Sequence, residues 1–239
     1  MARQFFDEPT ADAGAHAGGS FIRITGRSGE LFRTLTHELG HTYGFVHSSM
    51  WRVPATAASP IGDGVHLEYL DGWDLMGSPN SETEGLFFQS HVNAYFKTLA
   101  GWLPDTAVAD GRTGGMPLIP SGRLFALYPH DSLSATGLRA IYIPASDGTT
   151  YWIGKRSLFP GNASMANGVE VRRVRLPTDI HVAVELLDVD PDFGGFFLEH
   201  SLTSGNFFED VANGITINGG VERIDSDGNE FQFVTVIIR

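Results

Sequence analysis

The chain has 239 residues, room for one large domain or two ordinary ones, which excludes miniature and disulfide-dependent scaffolds. Its 28 acidic residues against 16 Lys plus Arg give a net charge of −12, which repels phosphate backbones and argues against nucleic acid as a partner. No apolar run approaches bilayer length, so no membrane span is expected, and the absence of cysteine leaves His, Asp and Glu as the side chains for any metal.

Residues 1–19 contain acidic and small residues but no apolar segment of the kind a secretory signal needs. Residues 20–25 alternate around Phe21, Ile22 and Ile24 and predict one strand. From Ser28, a candidate N-cap, Leu31, Leu35 and Leu39 recur every four residues, the mark of an amphipathic helix that Gly44 would stop. Residues 48–80 are rich in Gly, Pro, Ser and Asp and predict a long functional loop. A second helix is expected over 90–100, with Val92, Tyr95, Phe96 and Leu99 on one face.

Gly and Pro then recur over 105–122 without periodicity, which predicts a linker. Beyond it, alternating runs at 123–128, 138–144, 150–156, 168–174, 181–187, 214–217 and 230–238 predict strands. Turn dipeptides separate them, each offering a positive-φ glycine: Asp147-Gly148, Asn167-Gly168, Asn213-Gly214, Asn218-Gly219 and Asp227-Gly228. Together they predict an antiparallel β-sandwich.

The chemistry concentrates in His37-Glu38-Leu39-Gly40-His41-Thr42-Tyr43-Gly44-Phe45-Val46-His47. On a helix, residues four apart project from one face, so the imidazoles of His37 and His41 can reach one ion. Glu38 lies beside them, placed to take a proton from metal-bound water. A left-handed Gly44 would turn the chain and return His47 as a third ligand, leaving one coordination position open, the catalytic arrangement of Zn²⁺.

This segment resembles the metzincin zinc-protease pattern, in which a Met-turn follows the third histidine. Glu68-Tyr69-Leu70-Asp71-Gly72-Trp73-Asp74-Leu75-Met76-Gly77 looks like the Met-turn region of the gametolysin-type branch, with Met76 as the Met-turn residue, an apolar floor for the metal. Residues 88–103 are similar to that family's next helix, and Tyr151-Trp152-Ile153, Leu186-Leu187-Asp188 and Gly214-Ile215-Thr216-Ile217 are similar to pieces of its β-rich region. Gly154 departs from the pattern, an acidic residue being expected there.

The resemblance implies an α+β fold: a metzincin-like catalytic domain over 1–104, the linker 105–122, and a β-sandwich-like accessory domain over 123–239. It implies a secreted zinc endopeptidase, acting on extracellular or cell-wall protein or glycoprotein, with Glu38 catalytic and His37, His41 and His47 on zinc. Only one strand is read ahead of the zinc helix where the family has several, so the chain is expected to be N-terminally incomplete. The alternative is a truncated, catalytically incompetent zinc-binding protein that acts as a protein- or glycan-binding module. Without cysteine, latency through a cysteine switch is excluded.

Other candidates are weaker. His16, His66, His91, His130, His181 and His200 lack ligand spacing and are expected on the surface or satisfied in the core. Asp188, Asp190 and Asp192, and Asp225, Asp227 and Glu230, are acidic clusters that suit Ca²⁺ but read better as solvated turns. Arg172, Arg173 and Arg175 form a small basic patch, Asn162 opens a glycosylation sequon, and Tyr69 and Tyr95 are candidates by type for assisting Glu38.

Overall fold

The computed structural model describes residues 14–18, 21–25, 28–77, 91–118, 121–158, 163–176, 182–189 and 201–239. Contacts divide the chain into two units, Met1–Val46 and His47–Arg239. In the first, β1 (Gly14–Gly18) and β2 (Phe21–Thr25) form an antiparallel ladder running from Gly14↔Thr25 to Gly18↔Phe21. Helix α1 (Ser28–Thr42) packs on both strands. The lone strand expected from sequence is thus corrected to a pair. Gly-Ala-His-Ala-Gly has little β-propensity, so pairing rather than composition makes β1.

Helix α1 stops as its sequence dictates. Gly44 adopts φ +85, its N–H donates to the carbonyl of His41 at 3.0 Å, and that of Phe45 reaches back to Gly40 at 3.1 Å. This pair of bonds around a left-handed glycine is a Schellman cap, which satisfies carbonyls that the helix end leaves orphaned.

The second unit opens with β3 (Ser48–Arg52) and β4 (Val65–Leu67), then α2 (Ala94–Leu99) and a 3₁₀ turn over Asp105–Ala107. Strands β5 (Val108–Asp110), β6 (Met116–Leu118), β7 (Gly122–Leu127), β8 (Ala140–Pro144) and β9 (Thr150–Lys155) follow. Short helix α3 (Ala163–Ala166) precedes β10 (Val169–Arg175), β11 (Ala183–Leu187), β12 (Phe207–Asp210), β13 (Ile215–Ile224) and β14 (Glu230–Ile238).

They form a seven-stranded sheet ordered β4-β3-β11-β10-β9-β8-β5 and a five-stranded sheet ordered β12-β13-β14-β7-β6. One apolar core draws on both: Ile141, Ile153 and Val171 come from the larger sheet, and Leu127, Ile217 and Val236 from the smaller. Burying such side chains stabilises by about 1.5–3 kcal/mol each, which makes this core the main cohesive element of the unit.

The sandwich is therefore mixed rather than wholly antiparallel, because β3 pairs parallel with β11 and β5 parallel with β8. Residues 48–80 are not one loop, since β3 and β4 lie within them, and 105–122 carry β5 and β6, each placed in a sheet. Helix α2 is shorter than the 90–100 expected. Asn93 caps it by accepting from the Phe96 N–H at 3.0 Å, and Ser90 lies outside the described residues. Of the turn glycines, Gly148, Gly214 and Gly228 have positive φ, whereas Gly168 and Gly219 do not. Gly168 instead permits close approach, since a Cβ there would meet Ser201 Oγ at 2.6 Å.

Gly154 stands opposite an acidic residue rather than supplying one. Glu170 pairs with Gly154 in the ladder, and a Cβ on Gly154 would lie 2.9 Å from Glu170 Oε1 and 2.9 Å from His130 Cδ2. The carboxylate occupies the space that the glycine leaves. No helix among the described residues is long and apolar enough to cross a membrane.

Candidate metal centre

The helical period of α1 brings His37 and His41 together with ring centroids 4.9 Å apart and planes at 84°. Glu38, between them in sequence, is buried. Just past the Schellman turn, the Phe45 carbonyl lies 2.8 Å from His41 Nδ1. A neutral imidazole donating from Nδ1 carries its lone pair on Nε2, so this bond selects the tautomer that ligates through Nε2.

His47 lies in coil before β3, its Nδ1 2.6 Å from Glu68 Oε1. The Tyr69 ring covers it at a centroid distance of 3.8 Å and a plane angle of 34°. Among the described residues, the ligand atoms of His37, His41 and His47 all lie within 4.8 Å of one another, close enough to hold one metal ion. Tetrahedral coordination at 2.0–2.1 Å spaces nitrogens roughly 3.4 Å apart, so modest side-chain rotation brings the cluster to ligand geometry. An all-imidazole set suits Zn, Cu, Fe or Ni better than Ca or Mg.

The segment after His47 is fixed by a buried polar network. The Ser48 N–H donates to the Met76 carbonyl at 2.9 Å, and Ser48 Oγ donates to Asp71 Oδ2 at 2.6 Å. Arg172 Nη1 donates to the same Asp71 oxygen and to Ser48 Oγ, the latter at 3.2 Å. Asp71 Oδ1 accepts from the Trp73 N–H at 2.9 Å; Asp74 accepts from the N–H groups of Met76 at 2.8 Å and Asn93 at 2.7 Å. The two aspartates thereby shape the turn that buries Met76 completely.

Behind them, Glu170 accepts from Arg172 Nη2 at 2.9 Å and Arg156 Nε at 3.1 Å, and His130 Nε2 lies 2.9 Å from its other oxygen. Lys97 Nζ donates to the His130 carbonyl at 2.7 Å. Burial dominates the electrostatics here. It pushes Asp74 up to about 6 and Lys97 down to about 7. Burial and the Lys97 charge push His91 down to about 4 and His130 to about 3. Glu170 resists the upward push of burial because Arg156 and Arg172 hold it well below the usual carboxylate range.

Of the two tyrosines, Tyr69 lies on His47, whereas Tyr95 packs on Trp152 at 5.4 Å. His66 bonds Glu185 at 2.7 Å, His91 Nδ1 lies 3.3 Å from the Val92 carbonyl, and His130 is held by Glu170, in keeping with satisfied histidines. The basic patch does not form. Arg172 is buried on Asp71 and Glu170, while Arg173 and Arg175 pair with Glu185 beside the Trp51 ring. Asp225 accepts from the N–H groups of Asp227 at 2.9 Å and Asn229 at 2.8 Å, the turn expected of that cluster. His181, His200, Asp190, Asp192 and Asn162 lie outside the described residues, as does the His16 side chain.

Sequence reasoning missed Glu68 as the partner of His47 and Arg172 as the partner of Asp71. Glu68 stands 21 residues from His47 and Arg172 stands 101 from Asp71, separations that carry no periodic signal. Compared with known proteins, the chain matches no family model, no curated protein and no solved structure.

Proposed function

We propose that the chain is a zinc-dependent endopeptidase of the metzincin type, similar to the gametolysin branch, with His37, His41 and His47 as the zinc ligands. The observation that carries this reading is the cluster of three imidazoles with Glu38 set between the first two in sequence. A purely structural site would close its fourth position with a protein ligand, and no fourth His, Asp or Glu joins the cluster among the described residues.

Zinc with an open position supplies a Lewis acid that acidifies water to a pKa of about 7 and polarises a peptide carbonyl. In this reading, Glu38 takes the proton from the attacking water and delivers it to the leaving amine. Its burial favours that work, because a carboxylate shielded from bulk water exchanges its proton with the substrate rather than with solvent. His41 and His47 are held in their ligating tautomers by Phe45 and Glu68. Met76 contributes an uncharged floor that does not compete as a ligand. Extracellular or cell-wall proteins are the expected substrates, on the resemblance.

Metal analysis together with casein and gelatin hydrolysis, with and without a chelator, tests the reading. One zinc per chain and chelator-sensitive cleavage are expected; Glu38→Ala should abolish cleavage and keep the metal. Full activity in Glu38→Ala removes that residue from its role. The second reading, a zinc-bearing binding module without catalysis, draws on the first unit, whose described strands are β1 and β2, a two-stranded sheet on which α1 packs. Bound zinc without cleavage in the wild-type chain establishes it.

A further inference from the structure

We propose that Glu68 and Tyr69 form a clamp that positions His47 as a metal ligand, with Glu68 setting its tautomer and Tyr69 holding its ring plane. This rests on reading His37, His41 and His47 as the metal centre. His37 and His41 need no such device, because consecutive turns of α1 already aim both rings along one face. His47 lies in coil, outside the helical period that aims the other two rings.

The β3–β4 ladder brings the clamp to it. Met50 pairs with Leu67 at the end of that antiparallel ladder, so the chain just before β3 and the chain just after β4 leave it side by side. His47 is the residue before β3, and Glu68 and Tyr69 are the first two after β4. The short contact from Nδ1 to the Glu68 carboxylate, 2.6 Å, fixes the Nδ1–H tautomer and leaves the lone pair on Nε2.

Tyr69 is held at φ +66, a left-handed conformation that non-glycine residues seldom adopt and that costs backbone energy. What this conformation achieves is the stack, with the phenol ring on the imidazole at 3.8 Å. Glu68 is 59% exposed and His47 24%, so as an ion pair the contact contributes little to stability. Its effect lies in orientation.

The test is Zn²⁺ affinity of the full chain at neutral pH, by competition with a chromophoric chelator, alongside ¹⁵N NMR of the histidine rings in the metal-free protein. Glu68→Ala should weaken Zn²⁺ on the order of 10- to 100-fold, the usual consequence of losing an outer carboxylate. Glu68→Gln, which keeps an acceptor without the charge, should recover part of that loss.

In a His47→Ala background, Glu68→Ala should cost less than twofold, because its effect passes through that ring. His47 should appear as the Nδ1–H tautomer in the wild type and in Glu68→Gln, and as a mixture in Glu68→Ala. Affinity within twofold of wild type in Glu68→Ala, an undiminished loss in the His47→Ala background, or an Nε2–H tautomer in the wild type overturns the clamp. A wild-type chain that binds no Zn²⁺ overturns the metal reading itself. The tautomer measurement tells the two failures apart.

Discussion

His37 and His41 on one side, and His47 on the other, are placed by different physics. The helical pair is set by a period of 3.6 residues and one capping turn, all within a single stretch of backbone. His47 is set by partners far along the chain: Glu68 and Tyr69 after β4, and the Ser48–Asp71–Arg172 contacts that anchor the start of β3. Local placement survives most substitutions elsewhere in the chain, whereas tertiary placement fails when any one of its distant supports is removed.

The sharpest way to break this contrast is Arg172→Met, which leaves Asp71 buried without its counter-ion. Removing one partner of a buried pair costs about 3–5 kcal/mol. Urea unfolding should show a loss of that size in the second unit, and a loss below about 1 kcal/mol would mean that the turn around Met76 is held by other contacts. Gly77→Ala comes next. A Cβ there overlaps the Asp71 carbonyl. Overpacking of this kind costs about 1–3 kcal/mol, and Zn²⁺ affinity should fall with it, since the same turn accepts the Ser48 N–H.

Acid should act on the tertiary side. His91 and His130, lowered to about 4 and about 3, stay neutral in the fold while the unfolded chain protonates near 6.5, so they withdraw stability as pH falls through that window. Asp74 has the opposite sign. Raised to about 6, it holds a proton in the fold that the unfolded chain releases above its ordinary value of 3.8. Between roughly pH 4 and 6 the two histidines outweigh the one aspartate, so the unfolded state binds more protons here than the folded state and stability falls on acidification. Thermal midpoints at pH 5 and pH 7 measure it, and a flat or rising profile toward acid would contradict this balance.

The smallest effect belongs to the local side. Gly44→Ala forces a Cβ into the left-handed region with no atom within 4 Å, so the cost is backbone strain alone, about 1 kcal/mol. Gly44→Asn should cost less, because asparagine tolerates that region. Thermal denaturation of the two variants, compared directly, reads the difference.

Legibility in the sequence followed the same division. The spacing of Leu31, Leu35 and Leu39 shows α1, and the histidine spacing shows that His37 and His41 share one face of it, because both depend on neighbours within a few residues. Strands β7 to β10 and β14 were readable from alternation. β3 was not. Its first three residues are all buried and two of them are serines, so the alternation that marks a half-buried strand is missing. β5 and β6, three residues each among Gly and Pro, offered too few positions for any period. Glu68 and Arg172 were invisible as supports because their meaning depends on residues brought to them by the fold.

The parallel pairing of β3 with β11, in which Ser48 meets Val184, also imposes an order in time. A nascent chain that has emerged only as far as residue 104 already holds the whole histidine motif, yet the strand that steadies the chain after His47 is still to be synthesised. Pairing across so long a separation carries a large loop-closure cost and comes late in folding. The contacts that anchor the chain after His47 are therefore completed only once β11 exists, so the last support of the proposed site forms after synthesis has passed residue 187, later than the Glu68 and Tyr69 contacts that hold the ring itself.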